Sequence, residues 1–329
     1  MTVSADSRWS FLGLRTVVLE NRALRVVILP DLGGRIWSVV YKPLDRELLW
    51  QNPRIPPRKV LFGACYDDVW CGGWEELFPN DVPATILGEK YPDHGEVWSI
   101  DWDCDTQSSE DSATVALTCN TPISACRLER RLTLRAGEAA LHTEHRLTNR
   151  GRDDFPFLWK MHPAFRISPD CRIDFPPMTV ELEPAWPASL SGAPPRFPWP
   201  HADTPEGRID LSRIPSADSG RCHFFYGTGF SEGWGAITDT AAGLTYGVTF
   251  SADVFRSCWL FASFGGWRNH NVAIIEPSTT YPFEIEKAIE RGTAPILAAG
   301  QSIQTRTAMR VQTGLARVRG LSANGSFVE

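Results

Sequence analysis

Residues 126–135 read Cys126-Arg127-Leu128-Glu129-Arg130-Arg131-Leu132-Thr133-Leu134-Arg135, with mostly apolar side chains at even positions and polar or charged ones at odd positions. Successive side chains of a β-strand point to opposite faces, so this alternation predicts a half-buried strand. Residues 97–103 alternate similarly, with Trp98, Ile100 and Trp102 on one face. Shorter runs of the same kind are 16–19, 24–29, 36–41, 114–119, 139–147, 235–238, 245–250, 272–275 and 302–311.

Helical periodicity is scarce in this sequence. The best candidate is the segment 283–291, which ends before Gly292 and predicts a turn or two of helix. Turn signals such as Asn149-Arg150-Gly151 separate the strand-like runs. Many short strands with almost no helix predict an all-β fold, either a large antiparallel sandwich or a barrel.

Composition excludes several classes of protein. Of 329 residues, 43% are hydrophobic and 22% charged, which predicts a packed core rather than global disorder. The net charge of −6 disfavours a nucleic-acid binder. The sequence contains no run of 18 apolar residues, so we expect no membrane helix. The N-terminus lacks the pattern of a secretory signal. We therefore expect a cytoplasmic protein with no nucleic-acid or membrane partner.

One compositional break interrupts the chain, at about residues 184–220. This stretch is rich in proline interleaved with Ser, Gly and Asp. It is compatible with a linker between two domains, but similar strand patterns flank it on both sides. We interpret it as a long surface insertion in a single domain of residues 1–329, and such excursions often border a binding site.

Familiar cofactor and nucleophile motifs are missing from the sequence. The pairs Gly33-Gly34 and Gly72-Gly73 lack the spacing of a phosphate-binding loop, and there is no Gly-x-Ser-x-Gly elbow. None of the eight cysteines forms a Cys-x-x-Cys pair. The remaining candidates for catalysis are histidines and carboxylates. The sequence also contains 13 Trp, 17 Phe and 6 Tyr, aromatic residues that can stack on sugar rings.

Four stretches concentrate these groups in one order along the chain. They are Leu29-Pro30-Asp31-Leu32-Gly33-Gly34-Arg35-Ile36; Gly72-Gly73-Trp74-Glu75-Glu76-Leu77-Phe78-Pro79-Asn80-Asp81 with Tyr91-Pro92-Asp93-His94-Gly95-Glu96-Val97-Trp98; Asn149-Arg150-Gly151 leading to Phe157-Leu158-Trp159-Lys160-Met161-His162-Pro163-Ala164-Phe165; and Gly265-Gly266-Trp267-Arg268-Asn269-His270 running to Glu276-Pro277.

Together these motifs resemble the aldose 1-epimerase (galactose mutarotase-like) superfamily, over about residues 15–311. The Gly-Gly-x-x-x-x-Phe-Pro segment is nearer to the hexose-6-phosphate mutarotase branch. The resemblance implies a large antiparallel β-supersandwich and interconversion of the α and β anomers of an aldose, including one with an anionic C6 group. It implies no metal and no organic cofactor.

The resemblance also implies the catalytic residues. His94 matches a His-Gly motif before a Trp-containing strand, His162 follows the Asn-x-Gly turn, and Glu276 begins the late Glu-Pro pair. Ring opening removes a proton from the C1 hydroxyl and adds one to the ring oxygen. The expected roles are base for Glu276, acid for His162, and donor or orienting group for His94.

Candidate substrate-binding residues lie in or beside the same motifs: Arg35, Trp74, Glu75, Glu76, Asn80, Trp98, Lys160, Trp267 and Arg268, with Trp159 a further stacking candidate and Arg166 a further cation. Two features of the galactose branch lack a clear match. Arg54 is a loose candidate for its substrate-binding arginine, and either Asp239 or Asp253 is the aspartate that holds sugar hydroxyls. We expect a small sugar as the ligand and a monomer or homodimer.

Two other functions are compatible with the sequence. One is a carbohydrate-binding sandwich without catalytic activity, although such a protein need not retain His94, His162 and Glu276. The other is a cupin-type metal-dependent isomerase, in which His94 and Glu96 would share one strand face as ligands. A cupin requires a second histidine at similar spacing, which this segment lacks.

Overall fold

Short antiparallel strands make up most of the molecule. The computed structural model describes residues 3–186 and 190–329. It is 51% strand and 5% helix, so the all-β prediction with very little helix is confirmed. The chain divides into two compact units: unit 1 comprises residues 1–163 and 279–308, and unit 2 comprises residues 164–278 and 309–329. The interpretation as a single domain stays a prediction.

Unit 1 contains two sheets. The first has the order β1-β2-β3-β4-β6-β14, with β5 beside β4, and the second has the order β12-β11-β10-β9. Two small hairpins, β7–β8 and β13–β25, accompany them. The strands are β1 Ser4–Phe11, β2 Leu14–Glu20, β3 Leu24–Leu29, β4 Arg35–Tyr41, β5 Arg46–Glu47, β6 Trp74–Leu77, β7 Ala84–Ile86, β8 Glu89–Tyr91, β9 Asp103–Ser108, β10 Ser112–Asn120, β11 Cys126–Arg135, β12 Ala140–Asn149, β13 Phe155–Pro156, β14 Lys160–Phe165, β25 Ile296–Leu297 and β26 Ser302–Thr313.

The helices of the described chain are short. In unit 1 they are α1 Tyr66–Val69, α2 Ile285–Glu290 and the 3-10 turn Lys42–Leu44, and unit 2 has the 3-10 turn Ala217–Ser219. The helix predicted at 283–291 is therefore confirmed as α2. No helix among the described residues is long and apolar enough to cross a membrane.

Unit 2 also contains series of hydrogen-bonded strands. One has the order β24-β23-β20-β16-β17 and another the order β15-β21-β22. The strands are β15 Cys171–Asp174, β16 Thr179–Leu182, β17 Arg196–Pro198, β18 His201–Thr204, β19 Gly207–Asp210, β20 Arg221–Thr228, β21 Gly233–Asp239, β22 Leu244–Phe250, β23 Ser257–Phe264, β24 Asn271–Ser278, β27 Gly320–Leu321 and β28 Phe327–Val328. The chain passes from one unit to the other within β14 and β26 and between Ser278 and Thr279.

The alternation at 126–135 forms β11 with the boundaries that the sequence predicts. Leu128, Leu132 and Leu134 are buried, and the intervening side chains are half-buried or exposed. Arg130 departs from the pattern, because it lies on the buried face of the strand. A charged side chain is buried in a protein core only when it is paired, and Arg130 is paired with Glu76.

The strand predicted at 97–103 is wrong, because strand β9 begins only at Asp103. The backbone of this stretch bonds instead to the turn after β3, where Gly33 donates to Ile100 and Trp102 donates to Pro30, both at 2.9 Å. A side chain on Gly33 would meet the backbone of Trp98. The alternation here reflects buried tryptophans, not pairing in a sheet.

The proline-rich segment at 184–220 is less irregular than its composition predicts. It includes β17, which pairs with β16, the hairpin of β18 with β19, and the 3-10 turn at Ala217–Ser219. Pro187, one of the prolines behind the prediction, lies outside the described residues. Prolines near the ends of these strands, such as Pro198 and Pro200, suit strands too short to need every backbone donor.

Candidate functional site

His162 and Glu75 face each other on neighbouring strands of unit 1. His162 in β14 lies opposite Glu75 in β6, and directly opposed residues of an antiparallel pair share one face. Both side chains are buried. The His162 Nδ1 atom lies 3.4 Å from Glu75 Oε1. The sheet therefore brings a predicted acid and a predicted binding residue into direct contact.

Glu75 is held as a carboxylate by three donors. Arg35 Nη1 donates to Oε2 at 2.7 Å, and Trp70 Nε1 donates to Oε1 at 2.9 Å. The Tyr66 hydroxyl also donates to Oε1. Burial alone would raise the pKa of Glu75, but the positive charge of Arg35 and the hydrogen bonds of His162 and Tyr66 lower it to about 2.

Tyr66, at the start of α1, links the two predicted histidines. Its hydroxyl lies 3.2 Å from His162 Nδ1. Its ring stacks on the His94 ring, with 3.8 Å between centroids and 7° between planes. The His94 and His162 rings are themselves 6.4 Å apart and perpendicular. Both histidines are therefore positioned by one buried tyrosine that the sequence analysis did not single out.

The backbone explains why a glycine follows His94. His94 has a φ of 58° and Gly95 a φ of 76°, which is the left-handed region. A side chain on Gly95 would collide with the carbonyl oxygen of Phe78. Two backbone hydrogen bonds stabilise the turn. The His94 N–H donates to the carbonyl oxygen of Asp81, and the Glu96 N–H donates to that of Phe78. Gly95 is thus required for this close approach.

Charged neighbours favour the protonated form of the His94 imidazole. Asp93 Oδ1 lies 2.8 Å from His94 Nδ1, and Asp81 Oδ1 lies 4.0 Å from Nε2. Burial alone would lower the pKa of His94, but the carboxylates of Asp81 and Asp93 outweigh it and raise the pKa above its ordinary value. The surroundings of His94 therefore favour its charged, proton-donating form.

We expect Asp93→Asn to lower the pKa of His94, because the variant removes the carboxylate nearest to the imidazolium. A proton NMR titration of the His94 ring resonances measures this directly. The wild-type midpoint should lie above 6.5 and the variant midpoint below the wild-type one. A wild-type midpoint at or below 6.5 would contradict the electrostatic description.

Lys160 is a buried cation with a buried partner. It lies on the same face of β14 as His162, two residues away, and its Nζ is 2.5 Å from Asp81 Oδ1. Burial alone would raise the pKa of Asp81, but Lys160 and His94 lower it. The lysine joins His94 and Asp81 in one network.

Glu76 points away from this network. Neighbouring residues of a strand face opposite sides, so Glu76 enters the core where Glu75 faces His162. It accepts from Arg130 at 3.2 Å and Trp159 at 3.0 Å, and lies 3.0 Å from His145 Nδ1. Burial alone would raise the pKa of Glu76, but His145 and Arg130 lower it to about 2. Glu76 therefore completes a buried ionic cluster with Arg130 and His145, and its role in substrate binding stays a prediction.

Glu76→Gln should destabilise the protein by about 3–5 kcal/mol, because it leaves the buried Arg130 without its counter-charge. A urea unfolding curve measures the loss. The matched control is Glu129→Gln on β11, whose partly exposed ion pair with Arg127 should contribute less than about 1 kcal/mol. Equal midpoints for the two variants would contradict the prediction.

The lowered pKa values of Glu75 and Glu76 predict that the folded protein loses stability at acidic pH. A carboxyl whose pKa is lower in the folded state stabilises the fold above its unfolded pKa. For Glu75 and Glu76 this contribution should be lost as the pH falls from about 4.5 towards about 2. Glu76→Gln should make that part of the pH dependence shallower.

Several predicted binding residues are buried and already engaged. Arg35, Trp74, Trp98 and Trp159 are each at most 2% exposed. Their direct contact with a sugar stays a prediction, since Glu276 and His162, the predicted base and acid, are buried to a similar degree. Asn80 is buried as well, and its amide donates to Val82 and Pro92 at 2.7 Å, which secures the loop before His94.

Glu276 lies in unit 2, where it occupies a sheet face lined by aromatic residues. In β24 it is opposite Trp259 of β23, which is in turn opposite Tyr226 of β20. Two residues along, the next row on this face consists of Ile274, Phe261 and Phe224. Glu276 itself is 2% exposed.

The aromatic face reaches the surface near the glycine-rich loop of unit 2. Phe224 and Phe261 are half-buried, and Trp267 packs edge-on against Phe261 with 5.3 Å between centroids. Trp186 packs against the same ring at 5.2 Å. Arg268 is exposed, and its guanidinium carbon lies 5.6 Å from the Trp267 ring centroid. Of the predicted stacking residues, Trp267 is the one with an accessible ring.

The remaining candidates have other surroundings. Asp239 is buried and accepts from the Ala242 N–H at 2.9 Å in the turn after β21, whereas Asp253 is exposed. Arg54 and Arg166 are also exposed. Among the described residues, no group of three or more His, Cys, Asp and Glu side chains is arranged to hold a metal ion.

Sequence reasoning missed Tyr66, Trp70 and Asp81. Tyr66 and Trp70 precede the Gly72-Gly73 pair, and Asp81 ends the same motif, so their proximity to the glycine turn was the available signal. What they contribute depends on partners such as His162, which is 96 residues from Tyr66.

Comparison with other proteins gives the fold a family. The sequence matches the family described as Domain of unknown function (DUF5107) over residues 4–269. A galactose mutarotase-like protein from Clostridium acetobutylicum superimposes with a TM-score of 0.70 at 13% identity, over 95% of this chain and 99% of that one. The Slr1438 protein from Synechocystis sp. PCC 6803 superimposes with a TM-score of 0.68 at 18% identity, over 93% of this chain and 99% of that one.

A galactose mutarotase related enzyme from Lactobacillus acidophilus is also similar, with a TM-score of 0.62 at 17% identity over 92% of this chain and 99% of that one. At these identities the likeness concerns the fold. The chain therefore belongs to the DUF5107 family, a domain of unknown function, and adopts the galactose mutarotase-like β-supersandwich fold.

Proposed function

We propose that this protein is an aldose 1-epimerase that interconverts the α and β anomers of a free aldose. The observation that carries the proposal is the histidine pair of unit 1. His94 and His162 are 6.4 Å apart, share Tyr66, and are accompanied by ionised Glu75 and Asp93. Two imidazoles with separate carboxylate partners suit proton transfer near neutral pH.

The proposed reaction uses one base and one acid. The Glu276 carboxylate accepts the proton of the C1 hydroxyl while the C1–O5 bond breaks, and His162 gives a proton to O5. The resulting open-chain aldehyde rotates about C1–C2. Ring closure then reverses both transfers on the other face of the carbonyl, so that both groups regain their starting protonation. His94 donates a hydrogen bond to the sugar.

Unit 2 supports a sugar as the ligand. Glu276 lies on a sheet face with Tyr226 and Trp259, and the next row of that face contains the half-buried rings of Phe224 and Phe261. Large aromatic side chains are usually covered, and aromatic rings next to a buried carboxylate suit the apolar C–H faces of a pyranose.

Anomer-exchange NMR tests the activity. The purified protein is added to glucose, galactose and their 6-phosphates at equilibrium, and saturation transfer between the two C1 protons reports the exchange rate. We expect acceleration proportional to protein concentration for at least one sugar. Binding of a sugar without any acceleration would instead support a non-catalytic carbohydrate-binding protein and overturn the proposal.

The substrate is proposed to carry an anion at C6, as in the hexose-6-phosphate mutarotases. Of the motif cations, Arg35 and Lys160 are buried in ion pairs with Glu75 and Asp81. Arg268 is exposed beside the accessible Trp267 ring. A guanidinium binds phosphate oxygens through two parallel hydrogen bonds. Arg268 is therefore the proposed ligand for the C6 group.

Arg268→Ala should remove most of the preference for a 6-phospho sugar over its neutral parent, and leave turnover of the neutral sugar within about twofold. The comparison is kcat/KM for glucose 6-phosphate and glucose in each protein. Arg256→Ala, at another exposed arginine of unit 2, is the matched control and should keep the preference. Equal efficiency on both sugars in the wild type would favour a neutral hexose.

A further inference from the structure

The four side chains behind His162 form a continuous buried chain of hydrogen bonds. Arg35 donates to Glu75, Tyr66 and Trp70 donate to the other carboxylate oxygen, and the Tyr66 oxygen lies 3.2 Å from His162 Nδ1. Glu75 is fully buried, and Arg35 is 1% exposed.

The direction of these hydrogen bonds follows from the donor inventory. Glu75 has a pKa of about 2, so at neutral pH it only accepts. The tyrosine hydroxyl has one proton, which it donates to Glu75. Its oxygen can then interact with His162 only as an acceptor, and the proton between them belongs to Nδ1. The second contact of Nδ1, to Glu75 Oε1 at 3.4 Å, requires the same proton.

We propose that Arg35, Glu75 and Tyr66 are positioning residues that hold His162 in the Nδ1–H form, so that Nε2 is the atom that exchanges protons with the substrate. The inference rests on the proposed function in its second half: as the acid, His162 carries a second proton on Nε2 and gives that proton to O5, while Nδ1 keeps its own. Its first half is a statement about the resting protein. The arrangement parallels the carboxylate behind the histidine of a hydrolase triad, which fixes the tautomer and stabilises the imidazolium.

Other charges near the histidine pair act in compatible ways. His94, Asp81 and Lys160 form the neighbouring network, and Arg35 offsets part of the negative charge of Glu75. Glu75 therefore offers His162 a fixed acceptor without a full unbalanced charge. Tyr66 has a second task, since its ring also stacks on His94. A change at its hydroxyl can thus be separated from a change in the ring.

The tautomer is measured in the resting protein, without substrate. In ¹⁵N-histidine-labelled protein at alkaline pH, long-range ¹H–¹⁵N correlation spectra distinguish a protonated ring nitrogen from an unprotonated one. The His162 signals are assigned by their loss in His162→Asn. We expect the protonated nitrogen to be Nδ1. A protonated Nε2 with a bare Nδ1 would overturn the inference, whatever the activity of the enzyme.

Two variants test the chain of contacts. Glu75→Gln is close to isosteric and should convert His162 to a mixture of tautomers. Tyr66→Phe removes the hydroxyl alone, keeps the ring on His94, and should shift the tautomer balance less, because Glu75 remains 3.4 Å from Nδ1. Tyr91→Phe, at another buried tyrosine of unit 1, is the matched control and should leave the His162 signals unchanged.

The kinetic arm separates positioning from structural support. We expect kcat to fall about ten- to a hundredfold in Glu75→Gln and about three- to tenfold in Tyr66→Phe, with KM within about twofold, because both act through His162 in the transition state. If Glu75→Gln does not fold, Tyr66→Phe carries the test. Unchanged kcat in folded Tyr66→Phe and Glu75→Gln would overturn the positioning role. An Nδ1–H ring in a protein that accelerates no sugar would instead reject the proposed function and leave the tautomer assignment standing.

Discussion

Glu276→Gln should interconvert anomers about a hundred to ten thousand times more slowly than the wild type, because the amide cannot accept the C1 hydroxyl proton. Saturation transfer at the C1 protons measures the residual rate. The substitution is nearly isosteric, so it should leave the fold intact, which the thermal unfolding midpoint checks. KM should change much less than kcat, since the base acts mainly in the transition state.

The matched control for this experiment is Glu181→Gln on β16, a carboxylate of unit 2 that pairs with Arg196 at the sheet edge. It should retain the wild-type rate. If Glu276→Gln is folded and keeps more than about a tenth of the wild-type rate, Glu276 is not the base.

His162→Asn should produce a loss of similar size, because it removes the acid at the ring oxygen. The double variant with Glu276→Gln should lose less than the product of the two single losses, since residues that act as one unit are non-additive. Saturation transfer on all four proteins completes the cycle. Losses that multiply fully would mean that the two groups act independently, contrary to a concerted exchange.

The pH dependence of kcat/KM should be bell-shaped in the wild type. Activity falls on the acid side when the carboxylate base is protonated, and on the alkaline side when the histidine acid has lost its proton. Glu276→Gln should flatten the acid limb, and His162→Asn the alkaline limb. A profile that keeps both limbs in both variants would assign the titration to other groups.

Much of the fold can be predicted from the sequence because β-strands have a local signature, the alternation of apolar and polar residues. Strands β3 and β11 begin and end where the alternation predicts, and helix α2 lies within the predicted segment. The exception at 97–103 shows the limit of this signature. Buried tryptophans produced the same period of two in a stretch whose backbone bonds to a turn rather than to a strand.

The surroundings of the site residues could not be predicted in the same way. The structure brings the predicted residues His94 and His162 together with Glu75 in unit 1. His145 and His223 are also buried, each within a strand. Polarity tells that a residue can interact with water, but burial depends on which elements cover it.

By itself, the sequence determined the all-β class, most strands and the chemical types available for acid–base work, because each depends on local geometry and side-chain chemistry. Only the tertiary structure decided which carboxylate serves which partner. Glu75 and Glu76 are neighbours in the chain and equivalent in chemistry, yet the strand directs one to His162 and the other to Arg130. Tyr66 joins both histidines for the same reason: contacts between distant segments arise from strand pairing and packing, which no local pattern records.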